Sequence, residues 1–165
     1  MPELRARVRL SQPDVGQAVT GVADNPGWAA WRPNFDVALS NAFATLLWLG
    51  RCNGTAEHDG CRGEDCDTGL DQLGCSTDAF APSAAREVEQ DLHGFVTSCL
   101  AERPDCFTDM TADQVGYDFI LTRNGHGAGF WDRGLGEVGD WLSAMAKPFG
   151  TQDAYVSDGV VYVHG

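Results

Sequence analysis

Between residues 34 and 50 the apolar positions Phe35, Leu39, Ala42, Phe43, Leu46 and Leu49 recur at intervals of three and four. That spacing lays side chains along one face of a helix. Asn34 stands where an N-cap belongs, Asp36 falls in the first turn, and Gly50 ends the run, so the pattern predicts a core-facing helix. A second stripe, Val88, Leu92, Phe95, Val96 and Cys99, predicts a helix over residues 82–100, closed by Pro104. A third, Val138, Trp141, Leu142 and Met145, predicts one over residues 136–147.

Elsewhere the period shortens to two. Residues 3–10 alternate apolar and charged positions, with Leu4, Ala6, Val8 and Leu10 on one side and Arg5, Arg7 and Arg9 among those on the other, which predicts a half-buried strand. Residues 117–123 read as a strand, 124–127 (Asn-Gly-His-Gly) as a turn, and 128–132 as the returning strand. Asp158-Gly159 between residues 154–157 and 160–163 predicts a second hairpin. Residues 13–33, with Pro13, Pro26, Pro33 and the tryptophans Trp28 and Trp31, read as irregular, and residues 51–82 as a loop. The expected architecture is α+β: a small antiparallel sheet of two hairpins packed with about three helices. Residues 1–33 form an N-terminal arm or extension, and residues 34–165 a single domain carrying a Cys-rich loop over 51–82.

Composition narrows the class. The 165-residue chain is 43% hydrophobic and 21% charged, which fits one globular domain rather than a disordered tail. No apolar run reaches the ~18–20 residues of a membrane span, and residues 1–10 lack the apolar stretch of a secretory signal. Seventeen Asp against seven Glu, and ten Arg with Lys147 the sole lysine, leave a formal charge of −13. That charge disfavours direct binding to nucleic acid or anionic membrane and suits a protein partner with a cationic surface.

Six cysteines stand at 52, 61, 66, 75, 99 and 106. The first four share one loop with His58, which makes Cys52, His58, Cys61, Cys66 and Cys75 the candidate zinc ligands. No Cys-x-x-Cys knuckle is present, so disulfides and reduced thiols stay open beside zinc. The run Asp65-x-Asp67-x-Gly69-x-Asp71 lacks the glycine and glutamate of a calcium loop and reads as a solvated acidic segment.

The densest signal is residues 118–134, where His126 sits at a glycine-rich turn flanked by Asp118, Asp132, Arg123 and Arg133. The run Leu121-Thr-Arg-Asn-Gly-His-Gly-Ala-Gly-Phe-Trp-Asp-Arg133 closely resembles the C-terminal signature of a widespread family of uncharacterised bacteriophage and prophage proteins. More loosely, the resemblance extends from Phe35 to Val163 through Leu47-Trp48, Phe149-Gly150 and Tyr155-Val156. Members of that family often carry His before the Asp-Phe pair, where this chain has Tyr117. The resemblance implies a phage origin and brings no agreed activity.

Three functions follow as expectations. The first is a non-catalytic phage accessory protein that binds, and in one version inhibits, a host protein in the host cytoplasm. Its contact residues would be drawn from Arg123, Asn124, His126, Phe130, Trp131 and Arg133. The second is a virion-associated decoration or head protein. The third is a small enzyme using His126 as general base or metal ligand, oriented by Asp118 or Asp132. Neither a nucleophile elbow nor a phosphate-binding glycine loop accompanies His126, which weighs against catalysis.

Overall fold

The computed structural model describes residues 25–55, 58–61 and 63–165; the strand expected over residues 3–10 lies outside them. Among the described residues are four helices of ten or more residues, one six-residue helix and a two-stranded antiparallel sheet. The helices are α1 (Pro26–Trp31), α2 (Phe35–Leu49), α3 (Pro82–Glu102), α4 (Ala112–Arg123) and α5 (Glu137–Ala146). Strands β1 (Asp153–Ser157) and β2 (Val160–His164) follow. The class is α+β, with helices supplying most of the core, and among the described residues no helix is long and apolar enough to cross a membrane.

The stretch read as irregular before residue 33 contains α1. Asn25 caps it, its Oδ1 accepting from the Gly27 and Trp28 amides at 3.0 and 3.2 Å, and Pro26 occupies the first helical position, where a missing N–H costs nothing. Trp28 then packs edge-on against Phe35 and His93, fixing α1 to α3. Six residues are too few to show a helical period, so the cap was the only local signal. Asn34, expected to cap α2, is instead in helical conformation at the end of a 3-10 turn and makes no side-chain cap bond.

The larger correction concerns residues 117–132. They form no hairpin: residues 117–123 are the C-terminal half of α4, and Phe130–Asp132 is a 3-10 turn. Helix α4 runs through the centre of the molecule, and every residue from Asp118 to Arg123 is buried. A helix buried all round shows no apolar stripe, so its sequence mimics a continuous buried strand. Its start was marked by a capping box, in which the Gln114 side chain accepts from the Thr111 amide at 3.1 Å. Its end is a Schellman motif: the Gly125 amide donates to Thr122 O and the His126 amide to Leu121 O, at 3.2 and 3.1 Å. Gly125, at φ +64°, supplies the left-handed residue that this ending requires.

Helix α4 makes its most extensive contact with α2, across Gly116. A Cβ there would lie 1.9 Å from the Ala38 carbonyl oxygen, so the crossing exists only because position 116 has no side chain. Around it Phe95, Phe119 and Phe130 stack at centroid distances of 4.7 and 5.5 Å, with Phe149 edge-on to Phe119. Truncating such a buried ring typically costs about 3–5 kcal/mol.

The Asp158-Gly159 hairpin forms as expected, pairing Asp153 with His164 through to Ser157 with Val160. Its turn residues have φ of +50° and +77°, as a two-residue turn with left-handed geometry at both positions requires. Strand β2 is tied to the start of α3 by a bridge between Phe80 and Val161, with the Ala81 amide donating to Val161 O at 2.8 Å.

Candidate metal centre

The chain leaves α2 at Gly50 and enters the Cys-rich loop. Short backbone pairings hold the loop: the Cys52 amide donates to Thr68 O at 2.9 Å, and the Asn53 amide to Cys66 O at 3.0 Å. This places Cys52 beside Cys66 although fourteen positions separate them. The Cys61 amide donates to His58 O at 3.1 Å, closing a tight turn His58-Asp59-Gly60-Cys61. Four side chains converge: the sulfurs of Cys52, Cys61 and Cys66 and a ring nitrogen of His58 all lie within 4.8 Å of one another. This Cys3His cluster could bind a metal such as zinc.

The distances suit such an ion. Zinc bonds of about 2.3 Å to sulfur and about 2.0 Å to imidazole nitrogen give tetrahedral edges of about 3.8 Å between sulfurs and about 3.5 Å between sulfur and nitrogen. Cys52 Sγ and Cys61 Sγ stand 3.8 Å apart, well beyond the ~2.05 Å of a disulfide bond. Cys66 Sγ stands 3.3 Å from His58 Nε2. The other His58 nitrogen, Nδ1, lies 3.2 Å from the Asp59 carbonyl. A carbonyl can only accept, so Nδ1 carries the proton and Nε2 presents a lone pair toward the sulfurs. Metal-bound histidines usually have their outer N–H held in this way.

The electrostatics are those of crowded ligands. The Cys52 sulfur does most to raise the His58 pKa, with Cys66 adding to it against desolvation. At Cys61 a hydrogen bond from the Gly63 backbone favours the thiolate, but desolvation and the Cys52 and Cys66 sulfurs outweigh it and push the thiol up. A divalent cation would relieve this crowding by stabilising the deprotonated ligands. Cys52 and Cys66 are buried, and Cys61 and His58 half-buried, so one edge of the cluster reaches solvent.

Cys75, the fifth candidate, stays outside the cluster. It is half-buried beside a separate cavity of about 490 Å³ that also touches His58, Leu73 and Asp158, and burial raises its pKa. Cys99 and Cys106 are core thiols raised by burial, Cys106 to about 12. The knuckle sought as Cys-x-x-Cys is present as His58-x-x-Cys61, a spacing visible in the sequence once His is allowed as the first ligand.

The residues proposed for catalysis do not assemble. Asp118 is fully buried, and both its oxygens accept from Arg133, with Nε at 3.0 and 2.9 Å. The same pairing holds the Arg133 guanidinium above its ordinary pKa. His126 lies exposed just beyond α4, and among the described residues no hydrogen bond links its ring to Asp118, Asp132 or any other group. Asp132 is exposed on the 3-10 turn.

The residues proposed for binding divide. Arg123 is buried and spent internally: Nε donates to Gly150 O at 2.7 Å, Nη2 to Phe149 O at 2.7 Å, and Nη1 to Asp91 and Gln152. Burial lowers its pKa, with Asp91 opposing. Asn124 exchanges two hydrogen bonds with the Gln152 backbone. Phe130 is fully buried in the ring cluster, so it is no contact anchor. Trp131, 40% exposed, is available at the surface, as are Val37 and Trp48, each 49% exposed. No protein-family model, curated protein or solved structure matches this chain.

Proposed function

We propose that this is a non-catalytic binding protein whose Cys-rich loop is held by a structural zinc ion. One observation carries the reading: Cys52, His58, Cys61 and Cys66 bring four ligand atoms within 4.8 Å of one another, enough to fill a tetrahedral shell, and structural zinc sites are closed in this way whereas catalytic sites keep a position for water. The loop they hold is polar and glycine-rich, with too little apolar surface to fold by burial alone, so a metal would supply the missing stabilisation. In the biological reading the protein is a phage-encoded accessory factor that binds a host protein in the host cytoplasm. That reading draws on the resemblance of residues 121–133 and on the charge of −13, and Trp131 and Trp48 are its contact residues.

Elemental analysis of freshly purified protein should find one zinc per chain. Cys66→Ser should abolish it and Cys75→Ser should retain it; a metal-free protein with native loop spectra would overturn the assignment. For the partner, affinity capture from host lysate should recover one saturable protein with the native chain and much less with Trp131→Ala. Recovery of none at either low or high salt would refute the host-binding reading, and finding the chain in purified virions would replace it with a structural role.

A further inference from the structure

A cleft of about 860 Å³ lies on the side of the molecule where the turn after α3 meets the start of α5. We propose that it binds a phosphate monoester whose organic body carries hydroxyl groups; the site is independent of the zinc reading.

Two arginines line this cleft, in a chain with only eleven lysines and arginines against twenty-four carboxylates. Arg133 reaches it from the 3-10 side of α5. Asp118 takes its Nε and Nη2, and the Tyr117 ring lies 5.6 Å from the guanidinium carbon. Nη1 has no acceptor among the described residues. A fully buried carboxylate therefore fixes the guanidinium plane while leaving one edge unspent. Arg103 reaches the cleft from the end of α3, its guanidinium carbon 5.2 Å above the Trp141 ring. Its side chain makes no hydrogen bond or ion pair with any described residue. Arg103 is thus positioned by stacking on Trp141 and Arg133 by Asp118, each with donors left over, an arrangement that favours a tetrahedral oxyanion shared by two guanidiniums.

The remaining walls set the rest of the ligand. The volume exceeds what a bare phosphate fills and lies in the range of small-molecule sites. Leu135 and Val138 offer an apolar wall, while Asp105, Thr108 and Asp109 supply acceptors. Those carboxylates would repel a second anionic group but accept from hydroxyls, so the ligand carries its charge at one end and hydrogen-bond donors at the other.

The test uses the chain as purified and amide-resolved NMR. Ribose 5-phosphate should give saturable shifts confined to residues 103–109 and 133–138 and the Trp141 indole, with ribose alone giving none. Inorganic phosphate should bind about tenfold more weakly, as expected when the body's hydrogen bonds are lost. Arg103→Gln removes a half-exposed side chain with no hydrogen-bonded partner, so the fold should persist while affinity falls about tenfold. Arg133→Gln should do the same, but it also orphans Asp118, so the Arg103 variant decides. Absence of saturable shifts at millimolar ligand, unchanged affinity in Arg103→Gln, or equal binding of inorganic phosphate would each overturn the proposal.

Discussion

Two Xaa-Gly pairs, Asn124-Gly125 and Asp158-Gly159, look alike in the sequence and do different work in the fold. Both glycines take positive φ, at +64° and +77°. The residues before them part company: Asn124 stays right-handed at φ −86°, ψ 0° and closes a helix, whereas Asp158 is left-handed at φ +50° and reverses a strand. Their surroundings differ as well. The Asn124 side chain is bonded to the Gln152 backbone in both directions, and Arg123 next to it ties α4 to α3 and to the segment before β1. The Asp158 turn is exposed at the rim of the cavity beside Cys75 and makes no side-chain hydrogen bond among the described residues. A glycine after Asn or Asp marks a left-handed residue; the flanking pattern decides what that residue ends.

Substitutions at the two turns should separate in size accordingly. Arg123→Met should cost most, about 3–5 kcal/mol, because Asp91 and the Phe149 and Gly150 carbonyls lose their partner at a buried site; urea unfolding would measure it. Asn124→Asp should follow at about 1–3 kcal/mol, since a carboxylate cannot donate to the Gln152 carbonyl. Gly125→Ala and Gly159→Ala should each cost about 1 kcal/mol, both sites being sterically open but left-handed. Hydrogen exchange should tell them apart, the first exposing the His126 amide and the second loosening only the β1–β2 pairs. Asp158→Asn should stay within about 0.5 kcal/mol. Equal losses for Asn124→Asp and Asp158→Asn would abolish the distinction drawn between the turns.

The same contrast explains what the sequence could disclose. Helices α2, α3 and α5 each bury one side and expose another, so their stripes were plain and their expected bounds lie within two residues of those observed. The last hairpin was legible from its Asp158-Gly159 turn, and Ala154, Val156 and Val161 pack one of its faces on the core. Helix α4 failed the same test because residues 118–123 are buried on every side, the polar Asp118, Thr122 and Arg123 included, and aromatic and β-branched residues within it, Tyr117, Phe119, Ile120 and Thr122, favour strands on propensity. Thr111 and Gln114 were the local contradiction to that reading. At the candidate metal centre the loop and the four converging ligands were legible from composition. The exclusion of Cys75 was not, since it depends on how the loop turns back on itself. Arg103 carried no local mark at all; its stacking on Trp141 joins positions 38 residues apart.

Gly50 has a consequence for how this protein can be read in the laboratory. A Cβ there would sit 2.7 Å from Leu70 Cδ1 and 2.8 Å from the Ala154 carbonyl oxygen, so the exit of α2, the far limb of the Cys-rich loop and the first strand of the hairpin abut at a single atom. Slackening of the loop should therefore reach the carboxyl-terminal strands through Leu70 and Gly50. The stacked Tyr155 and Tyr162 on those strands, 5.5 Å between centroids, should then serve as a built-in optical gauge of the Cys-rich loop far upstream in the chain.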